Sequence, residues 1–366
     1  MAENARLANT MRHGRAFRGT LNWVWTVFGP FVGLVQVTLF FAWLTRDSGL
    51  FLTVDNWRTI AVQTVIVGIA ALGMTAIMIA GGIDLSVGSV IALVTVTIAL
   101  LVNGATVSLP LPSDPSFGWK WTPLFTLKLP LALAMLGGVL VGGLSGFVTG
   151  AVITGLRVVP FIITLGGLKI FRGLAKWLAG STVIYIPAEE QSWWFRGIMA
   201  TEPTPSWLLV APGVWILLFL SLLLALMLRY SLLGRYIYTV GSNEATARLC
   251  GINVPLVKTT VYTLGGLATG LAGLLQFVYL NGTGDPTTAE GLELQTIAAV
   301  VIGGGSLSGG VGTVLGTLIG CLIMSVLNNG CVHAGIPNAT QDVIIGLIIV
   351  AAVTLDQFRR RSATAV

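Results

Sequence analysis

The sequence predicts an all-α fold, a polytopic membrane bundle of about ten transmembrane helices. Two observations of composition support this: 55% of the 366 residues are hydrophobic and only 9% are charged, whereas soluble proteins carry about 25% charged residues. A third is length, because ten apolar stretches can each cross about 30 Å of hydrocarbon. The net charge of +6 comes from basic residues scattered at the ends of these stretches, which excludes a nucleic-acid-binding surface.

The ten predicted spans follow one another along the chain. They cover residues 23–45, 57–80, 83–103, 128–154, 159–181, 209–230, 259–280, 291–307, 310–330 and 339–356. One transmembrane domain, residues 23–356, is therefore expected between two tails, 1–22 and 357–366. Cytoplasmic loops carry an excess of lysine and arginine, and with ten spans most of the 20 such residues fall on the side of the tails. Both termini are predicted to be cytoplasmic.

Two predicted outer loops are long, about residues 104–127 and 182–208, and both contain several tryptophans. Tryptophan favours the headgroup level of a membrane. Anchoring at the interface therefore explains these loops better than a docking surface for an external partner, which is the alternative.

Glycine spacing predicts where helices pack closely. In the fourth and ninth spans glycine recurs every four residues, which lines it along one helix face and lets a neighbouring backbone approach. The helix-packing glycines are Gly138, Gly142, Gly146, Gly150, Gly312, Gly316 and Gly320. A pure packing role is preferred for them over a ligand-binding role.

The connection between the second and third spans reads AGGIDLSVGS, residues 80–89. Its two glycines break the helix, Asp84 can cap the next one, and Ser86 and Ser89 place hydroxyl groups along its start. A capped helix start is one interpretation. The other is a gate or translocation path beside the inner face of the membrane.

The fifth predicted span carries three cations, Lys169, Arg172 and Lys176, at a spacing that places them on one helix face. Each charge at membrane depth costs about 3 kcal/mol, so this face is expected to look into the bundle, a watery cavity or a truncated helix end. There the cations would bind a polar substrate or hold neighbouring carbonyl groups. Snorkelling to the outer interface is an equal alternative.

The largest predicted inner loop, about residues 231–258, contains VGSNEATARLCGI. Gly241, Ser242 and Asn243 are expected to form a turn and an N-terminal cap, followed by a short helix that ends at Gly251. This helix is predicted to lie outside the bilayer. It can rest on the membrane surface or serve as a rigid handle for a cytoplasmic partner.

The carboxy-terminal third contains AAVVIGGGSLSGGVG, residues 298–312, and LNNG, residues 327–330. The first of these segments has too many glycines for a stable regular helix. A broken or tightly packed hairpin is expected there, and broken helices at membrane depth often line cavities.

These segments occur in a defined order: AGGIDLSVGS, VPFIITLGGLKIFRGLA, VGSNEATARLCGI, AAVVIGGGSLSGGVG and LNNG. Over about residues 57–356 they resemble the permease subunits of bacterial ABC importers for monosaccharides, the ribose, xylose and galactose permease family. The resemblance implies a chain in the bacterial inner membrane, paired with an identical or related permease. It also implies a cytoplasmic ATPase partner and a periplasmic sugar-binding protein that delivers the substrate.

The resemblance also assigns residues. The segment 243–252 is similar to the coupling helix that inserts into a cleft of the ATPase. The residues assigned to this contact are Asn243, Glu244, Ala245, Arg248 and Gly251. Arg172 matches an arginine common in the family, whereas Lys169 and Lys176 do not match, and Gln295 stands where many members carry an acid.

The main hypothesis is a non-enzymatic permease that works by alternating access. The sequence contains no G-x-x-x-x-G-K-[ST] phosphate-binding loop, so the chain is expected to bind no cofactor, with ATP and Mg²⁺ on the partner ATPase. Candidate residues of the translocation pathway or gate are Asp84, Ser86, Ser89, Arg172, Gln276 and Asn281.

An ATPase-independent secondary transporter or channel is the alternative, and it would need intramembrane acids for ion coupling. Only Asp84, Asp342 and Asp356 come near the spans, all close to their ends. An intramembrane enzyme has no support, because His13 and His333 are predicted to be ordinary surface residues and no metal site is predicted.

Overall fold

The structure is a computed structural model that describes residues 29–47, 49–114, 118–203 and 206–364. The predicted amino-terminal tail and the start of the first predicted span lie outside these residues. The helices are, in order, α1 Gly29–Leu44, α2 Val54–Ile79, α3 Val87–Asn103, α4 Leu131–Leu156, α5 Pro160–Leu178, α6 Trp193–Gly197, α7 Pro212–Tyr230, α8 Leu232–Ser242, α9 Glu244–Leu249, α10 Val254–Tyr279, α11 Leu292–Ile302, α12 Val314–His333 and α13 Asn338–Thr364. The strands are β1 Ala105–Asp114, β2 Gly118–Leu127, β3 Ile184–Tyr185 and β4 Thr283–Gly284.

The chain is mostly helical, and each of the ten predicted spans overlaps one of these helices. Within the described residues, five helices are long and apolar enough to cross a membrane: α2, α4, α7, α10 and α12. The helices α1, α3, α11 and α13 contain shorter apolar stretches. The last predicted span and the tail after it form one continuous helix, which runs to Thr364.

The expectation of a purely α-helical fold is wrong at two places. The predicted outer loop 104–127 contains the antiparallel hairpin of β1 and β2, and β3 pairs with β4 to join two distant connections. Backbone groups outside helices still need hydrogen-bond partners, and pairing of short strands satisfies them in these loops. The tryptophan and proline content of the first loop did not indicate this arrangement.

The centre of the bundle is formed by α2 and α3. α2 is buried along nearly its whole length and packs against α7, α10, α11 and α12, while α3 packs against α4, α5 and α10. Both helices are apolar on all sides, which is typical of a helix enclosed by others. In contrast, most of the large apolar side chains of α7 are exposed, as on a helix that faces lipid.

The glycine-rich segment after α11 is broken, as its composition predicts. α11 ends at Ile302, and a series of turns leads to the start of α12 at Val314. Gly309 and Gly310 have φ values of 87° and 76°, in the left-handed region that favours glycine. α11 therefore extends for about 16 Å at about 1.5 Å per residue, roughly half the thickness of the hydrocarbon core.

Candidate functional site

Close contact between α4 and α10 holds the bundle together. A Cβ atom added at Gly142 would lie 2.5 Å from the Cα atom of Gly270 and 2.7 Å from the carbonyl oxygen of Gly266. At Gly146 it would meet the carbonyl oxygen of Tyr262, and the Cα atom of Gly266 at 2.8 Å. Two helix backbones thus touch directly, which requires glycine on both.

The other two glycines of the α4 row lie at either end of this contact. A Cβ atom at Gly138 would meet the side chain of Ile98 on α3 at 2.5 Å. At Gly150 it would lie 2.9 Å from the Cα atom of Thr259 on α10. The whole row therefore faces neighbouring helices, in the arrangement that a packing role requires.

The second glycine row places α12 against α11. Cβ atoms at Gly316 and Gly320 would overlap the carbonyl oxygens of Gly303 and Ala299 respectively. Gly312 lies in the turns before α12 and not within the helix, which corrects its predicted place in the ninth span. The reason is that Thr313, whose side chain accepts a hydrogen bond from the Gly316 amide, starts the helix after it.

The connection from α2 to α3 is closed by hydrogen bonds. One carboxylate oxygen of Asp84 accepts from the backbone amide of Ser86 at 2.8 Å and from its hydroxyl at 2.6 Å. The hydroxyl of Tyr262 on α10 donates to the carbonyl of Ile83 at 3.3 Å. Asp84, Ser86 and Ser89 are all buried. The Asp84 side chain thus closes the turn before α3 but does not cap the helix, because the N-cap residue is Ser86 and no side chain accepts from the first amides of α3. A role in the gate stays a prediction.

Beside the first half of α3, a half-buried arginine holds a loop. The Arg172 guanidinium on α5 donates to the carbonyls of Pro286 and Thr288 at 3.0 and 2.6 Å. Gln276 on α10 donates to the hydroxyl of Thr288 at 2.9 Å. Arg172 and Gln276 therefore both form hydrogen bonds with the loop that contains Thr288. Asn281 lies in the turn after α10 with a φ of 52°, exposed to solvent.

The three cations of α5 do not share an environment. Arg172 is half-buried, whereas Lys169 and Lys176 are exposed, which favours the snorkelling alternative for the two lysines. Sequence analysis did not single out Glu293, a buried acid in the first turn of α11 that interacts electrostatically with Arg172. An acid at the start of an apolar helix was the available signal.

We predict that Arg172→Ala lowers uptake by about tenfold without disrupting assembly. The variant leaves two carbonyl groups of the 285–288 loop without their charged donor, an interaction of about 1.5–3 kcal/mol. Uptake in membrane vesicles and gel filtration in detergent measure the two effects. The matched control is Lys169→Ala, which removes an exposed cation one turn earlier on α5. Uptake by this control should be unchanged. Unchanged uptake in Arg172→Ala would show that transport does not depend on the hydrogen bonds between Arg172 and this loop.

The short helix α9 is capped and fixed by polar contacts. The side chain of Asn243 accepts a hydrogen bond from the Thr246 amide at 3.0 Å, which caps the helix. Glu244 pairs with Arg248 at 2.5 Å and with Lys258, near the start of α10, at 2.6 Å. Burial raises the pKa of Glu244, but these two ion pairs outweigh it, so its pKa lies below the ordinary value.

One face of α9 is free to meet a partner. Ala247 is fully buried and anchors the helix to the bundle, whereas Ala245, Arg248 and Leu249 are exposed, and Leu249 is 89% exposed. Gly251, with a φ of 81°, turns the chain towards α10. The exposed face of α9 thus carries an apolar side chain, Leu249, beside a cation, Arg248, a combination that suits contact with another protein.

The expected turn at Gly241 and Ser242 is wrong, because both residues belong to α8. Gly241 is needed there for space: a Cβ atom would overlap the carbonyl oxygen of Ile79 and lie 2.7 Å from the amide of Gly310. That amide donates to the Ile79 carbonyl at 2.9 Å, and the Tyr238 hydroxyl donates to the carbonyl of Gly312 at 2.9 Å. α8 is thus bonded to the broken segment before α12 and touches the end of α2.

A family model described as "Branched-chain amino acid transport system / permease component" matches residues 56–353. The ribose import permease protein of Escherichia coli K12 is 36% identical over 327 residues, 88% of this chain and 92% of that permease. This chain belongs to the permease family of ABC importers.

Two further relatives support the assignment of this permease to the family. The ribose import permease protein of Bacillus subtilis 168 is 36% identical over 92% of this chain and 93% of its own length. The xylose transport system permease protein of Escherichia coli K12 is 31% identical over 92% of each. No solved structure matches the chain significantly. The permease is a transport subunit of the inner membrane. The residues that the structure describes contain no group of three or more histidine, cysteine, aspartate or glutamate side chains that could hold a metal ion.

Proposed function

We propose that this permease forms the inner-membrane pathway of an ATP-driven importer for a monosaccharide of the ribose, xylose or galactose type. The observation that carries the proposal is the match, along nearly whole chains, to permeases named for ribose and for xylose. The proposed topology has ten spans and both termini in the cytoplasm, with α8 and α9 inside and the α2 amino terminus outside. A periplasmic binding protein delivers the sugar to the outer side.

The exposed face of α9 is the proposed contact with the ATPase. Its bonds to the rest of the chain support this role: Glu244 ties α9 to α10, and α8 is tied to the broken segment by Tyr238. Displacement of α9 by the ATPase therefore moves α10 and the α11–α12 connection together. ATP and Mg²⁺ belong to the ATPase, and this chain itself binds no cofactor.

A second permease, identical or closely related, completes the proposed pathway. The exposed apolar side chains along α1, α4, α5 and α7 offer surface both for this partner and for lipid, because an exposed apolar area of this extent is typical of interaction sites and membrane contacts.

The test is isolation of the full-length permease from native membranes in mild detergent, followed by mass spectrometry of the bound proteins. We expect a P-loop ATPase and a second permease chain to be recovered. Recovery of this chain alone, together with gradient-driven uptake in proteoliposomes that contain nothing else, would overturn the proposal in favour of a secondary transporter.

A further inference from the structure

An exposed surface rich in arginine and tyrosine lies where α7 ends and α8 begins. It consists of Arg229 and Tyr230 in the last turn of α7 and of Leu232, Arg235 and Tyr236 in α8, all of them exposed. In the proposed topology it lies at the inner face of the membrane. We propose that this surface, the inner arginine surface, binds the phosphate headgroup of an anionic phospholipid of the inner leaflet. The inference rests on that topology and goes beyond the proposed transport function.

The inner arginine surface continues the lipid-facing side of α7. Phe219, Leu222 and Leu226 are exposed, and their spacing of three or four residues places them on one side of the helix. The same spacing leads on to Arg229 and Tyr230 one turn further. A lipid whose acyl chains lie along the three apolar side chains therefore has its headgroup beside these two polar ones.

Arg229 and Tyr230 are placed as residues at a membrane interface are. The Arg229 guanidinium lies over the Tyr230 ring, 5.3 Å from its centroid, and a cation in this position is attracted by the face of the ring. Tyrosine is enriched at the level of the headgroups, and arginine near a helix end extends its long side chain to the interface. The pair therefore marks the level of the inner headgroups on α7.

A tight turn brings the second arginine to the same end of α7. The Ser231 amide donates to the carbonyl of Met227 at 3.1 Å, and the Ser231 side chain accepts from the amide of Gly234 at 3.0 Å, which caps α8. A Cβ atom at Gly234 would overlap the carbonyl oxygen of Leu228. α8 therefore starts directly against the last turn of α7, and Arg235 follows this contact by one residue.

The charge of the inner arginine surface is not neutralised within the described part of the chain. No ion pair there includes Arg229 or Arg235, and the sequence contains no acid from residue 203 to residue 243. The next acid, Glu244, is held by two ion pairs of its own. Guanidinium groups bind phosphate through parallel hydrogen bonds, so an anionic phosphate complements this surface.

A lipid fits the inner arginine surface better than the ATPase does. The surface is continuous with exposed apolar side chains of α7, and these lie within the membrane, where a cytoplasmic protein does not reach. Its tyrosines and Leu232 add apolar area beside the two cations, a combination that suits the boundary between headgroups and acyl chains. Anionic lipids of the cytoplasmic leaflet attract such cations.

A lipid bound at this surface can influence transport through α8. The opposite side of α8 holds Gly241 against the end of α2, and Tyr238 donates to the carbonyl of Gly312 in the broken segment. Headgroup binding on the exposed side therefore fixes the helix that connects α7 with α9. ATP-driven uptake should consequently depend on the lipid.

The proposal is tested on the full-length permease with its co-purified partners, freed of lipid in detergent and without ATP or substrate. Added phosphatidylglycerol is expected to raise the Tm of the wild type by about 2–4 °C, because binding to the native state stabilises it, and phosphatidylcholine is expected to have no effect. Arg229→Gln and Arg235→Gln should each weaken phosphatidylglycerol binding about fivefold, which corresponds to about 1 kcal/mol per cation. The double variant should lose most of the shift.

Uptake gives a second measurement on the same proteins. In liposomes that contain the whole importer, ATP-driven uptake by the wild type should be at least twofold faster with phosphatidylglycerol than with phosphatidylcholine alone, and the double variant should show no such difference. The matched control is Arg196→Gln, which removes an exposed cation from α6 in a predicted outer loop. This control should keep the full Tm shift.

The same measurements can overturn the proposal. No shift in the wild type, or an equal shift in the double variant, would overturn the lipid assignment and leave the importer function intact. An equal shift with inorganic phosphate would show that a free anion binds and not a lipid. Loss of the ATPase from the purified double variant would assign the surface to the ATPase instead. Because the Tm shift needs neither ATP nor substrate, absence of ATP-driven uptake would overturn the importer function alone.

Discussion

Gly146→Leu is expected to prevent assembly of the permease. At this position a Cβ atom would overlap the carbonyl oxygen of Tyr262 and press on the backbone of Gly266. Overpacking a core typically costs about 1–3 kcal/mol when side chains can yield. Here the obstacle is the backbone of α10, so α4 must move away and lose its whole contact. We expect a cost well above that range, which is a large part of a native stability of about 5–15 kcal/mol.

Fluorescence-detected gel filtration in mild detergent measures this effect, with loss of the monodisperse peak as the expected result. Gly155→Leu is the matched control, because the same change on the same helix meets nothing within 4 Å of the added Cβ atom. Gly146→Ala should be intermediate, since it adds the clashing Cβ atom without further bulk. A normal elution profile and normal Tm for Gly146→Leu would contradict direct backbone contact between α4 and α10.

Glu244→Arg is expected to uncouple ATP hydrolysis from uptake, with uptake reduced more than tenfold in a chain that still assembles. The change replaces the acid between Arg248 and Lys258 by a third cation, so α9 is repelled from α10 and the charge at position 244 is reversed. Reversed charges at interfaces weaken specific association. The measurement compares ATP hydrolysis with sugar uptake in proteoliposomes that contain the whole importer.

Two related variants separate the possible causes. Glu244→Gln removes the charge but keeps a hydrogen-bond acceptor and should have a smaller effect. The swap Glu244→Lys with Lys258→Glu restores an ion pair between α9 and α10 while the reversed charge on α9 remains. Rescue by the swap would show that Glu244 acts by positioning α9, whereas failure of rescue would show a direct contact with the ATPase. Full ATP-driven uptake by Glu244→Arg would contradict both.

The acid dependence of this ion pair has a definite sign. Because the pKa of Glu244 in the folded chain lies below its ordinary value, the stabilisation from its ion pairs is fully present above that ordinary value. It is lost as the pH falls through the lowered pKa. Coupling through Glu244 is therefore insensitive to pH near neutrality.

Local sequence patterns were sufficient where one residue type decides the structure. A glycine every four residues in α4 predicts close approach of another helix, because a missing Cβ atom has that effect wherever the helix lies. The pattern does not show which helix approaches, since Gly266 and Gly270 lie more than a hundred residues further along the chain. Gly241 shows the converse: its low helix propensity predicted a turn, but packing against Ile79 and Gly310 retains it in α8.

The cavity between α2, α12 and α13, whose lining includes Gln63, Ser325 and Asn329, could not be predicted from local patterns. Gln63, Ser325 and Asn329 are single polar residues in apolar stretches far apart in the sequence, and only the folded bundle brings them together. His333 was predicted to be an ordinary surface residue. It instead ends α12 and contacts Asn56 near the start of α2, because helices at opposite ends of the sequence are neighbours in the bundle.

The enclosure of α2 has a consequence for biosynthesis. Its hydroxyl partner on α12, Thr317, lies 242 residues after Thr75, and a ribosome adds about 5–20 residues per second. α2 therefore enters the membrane on the order of 10–50 s before that partner is synthesised. During this interval the helix that will be innermost is surrounded by lipid or by the insertion machinery. A chain truncated before α10 keeps α7 but lacks α10, α11 and α12, so most of the surface of α2 that these helices cover stays exposed to lipid.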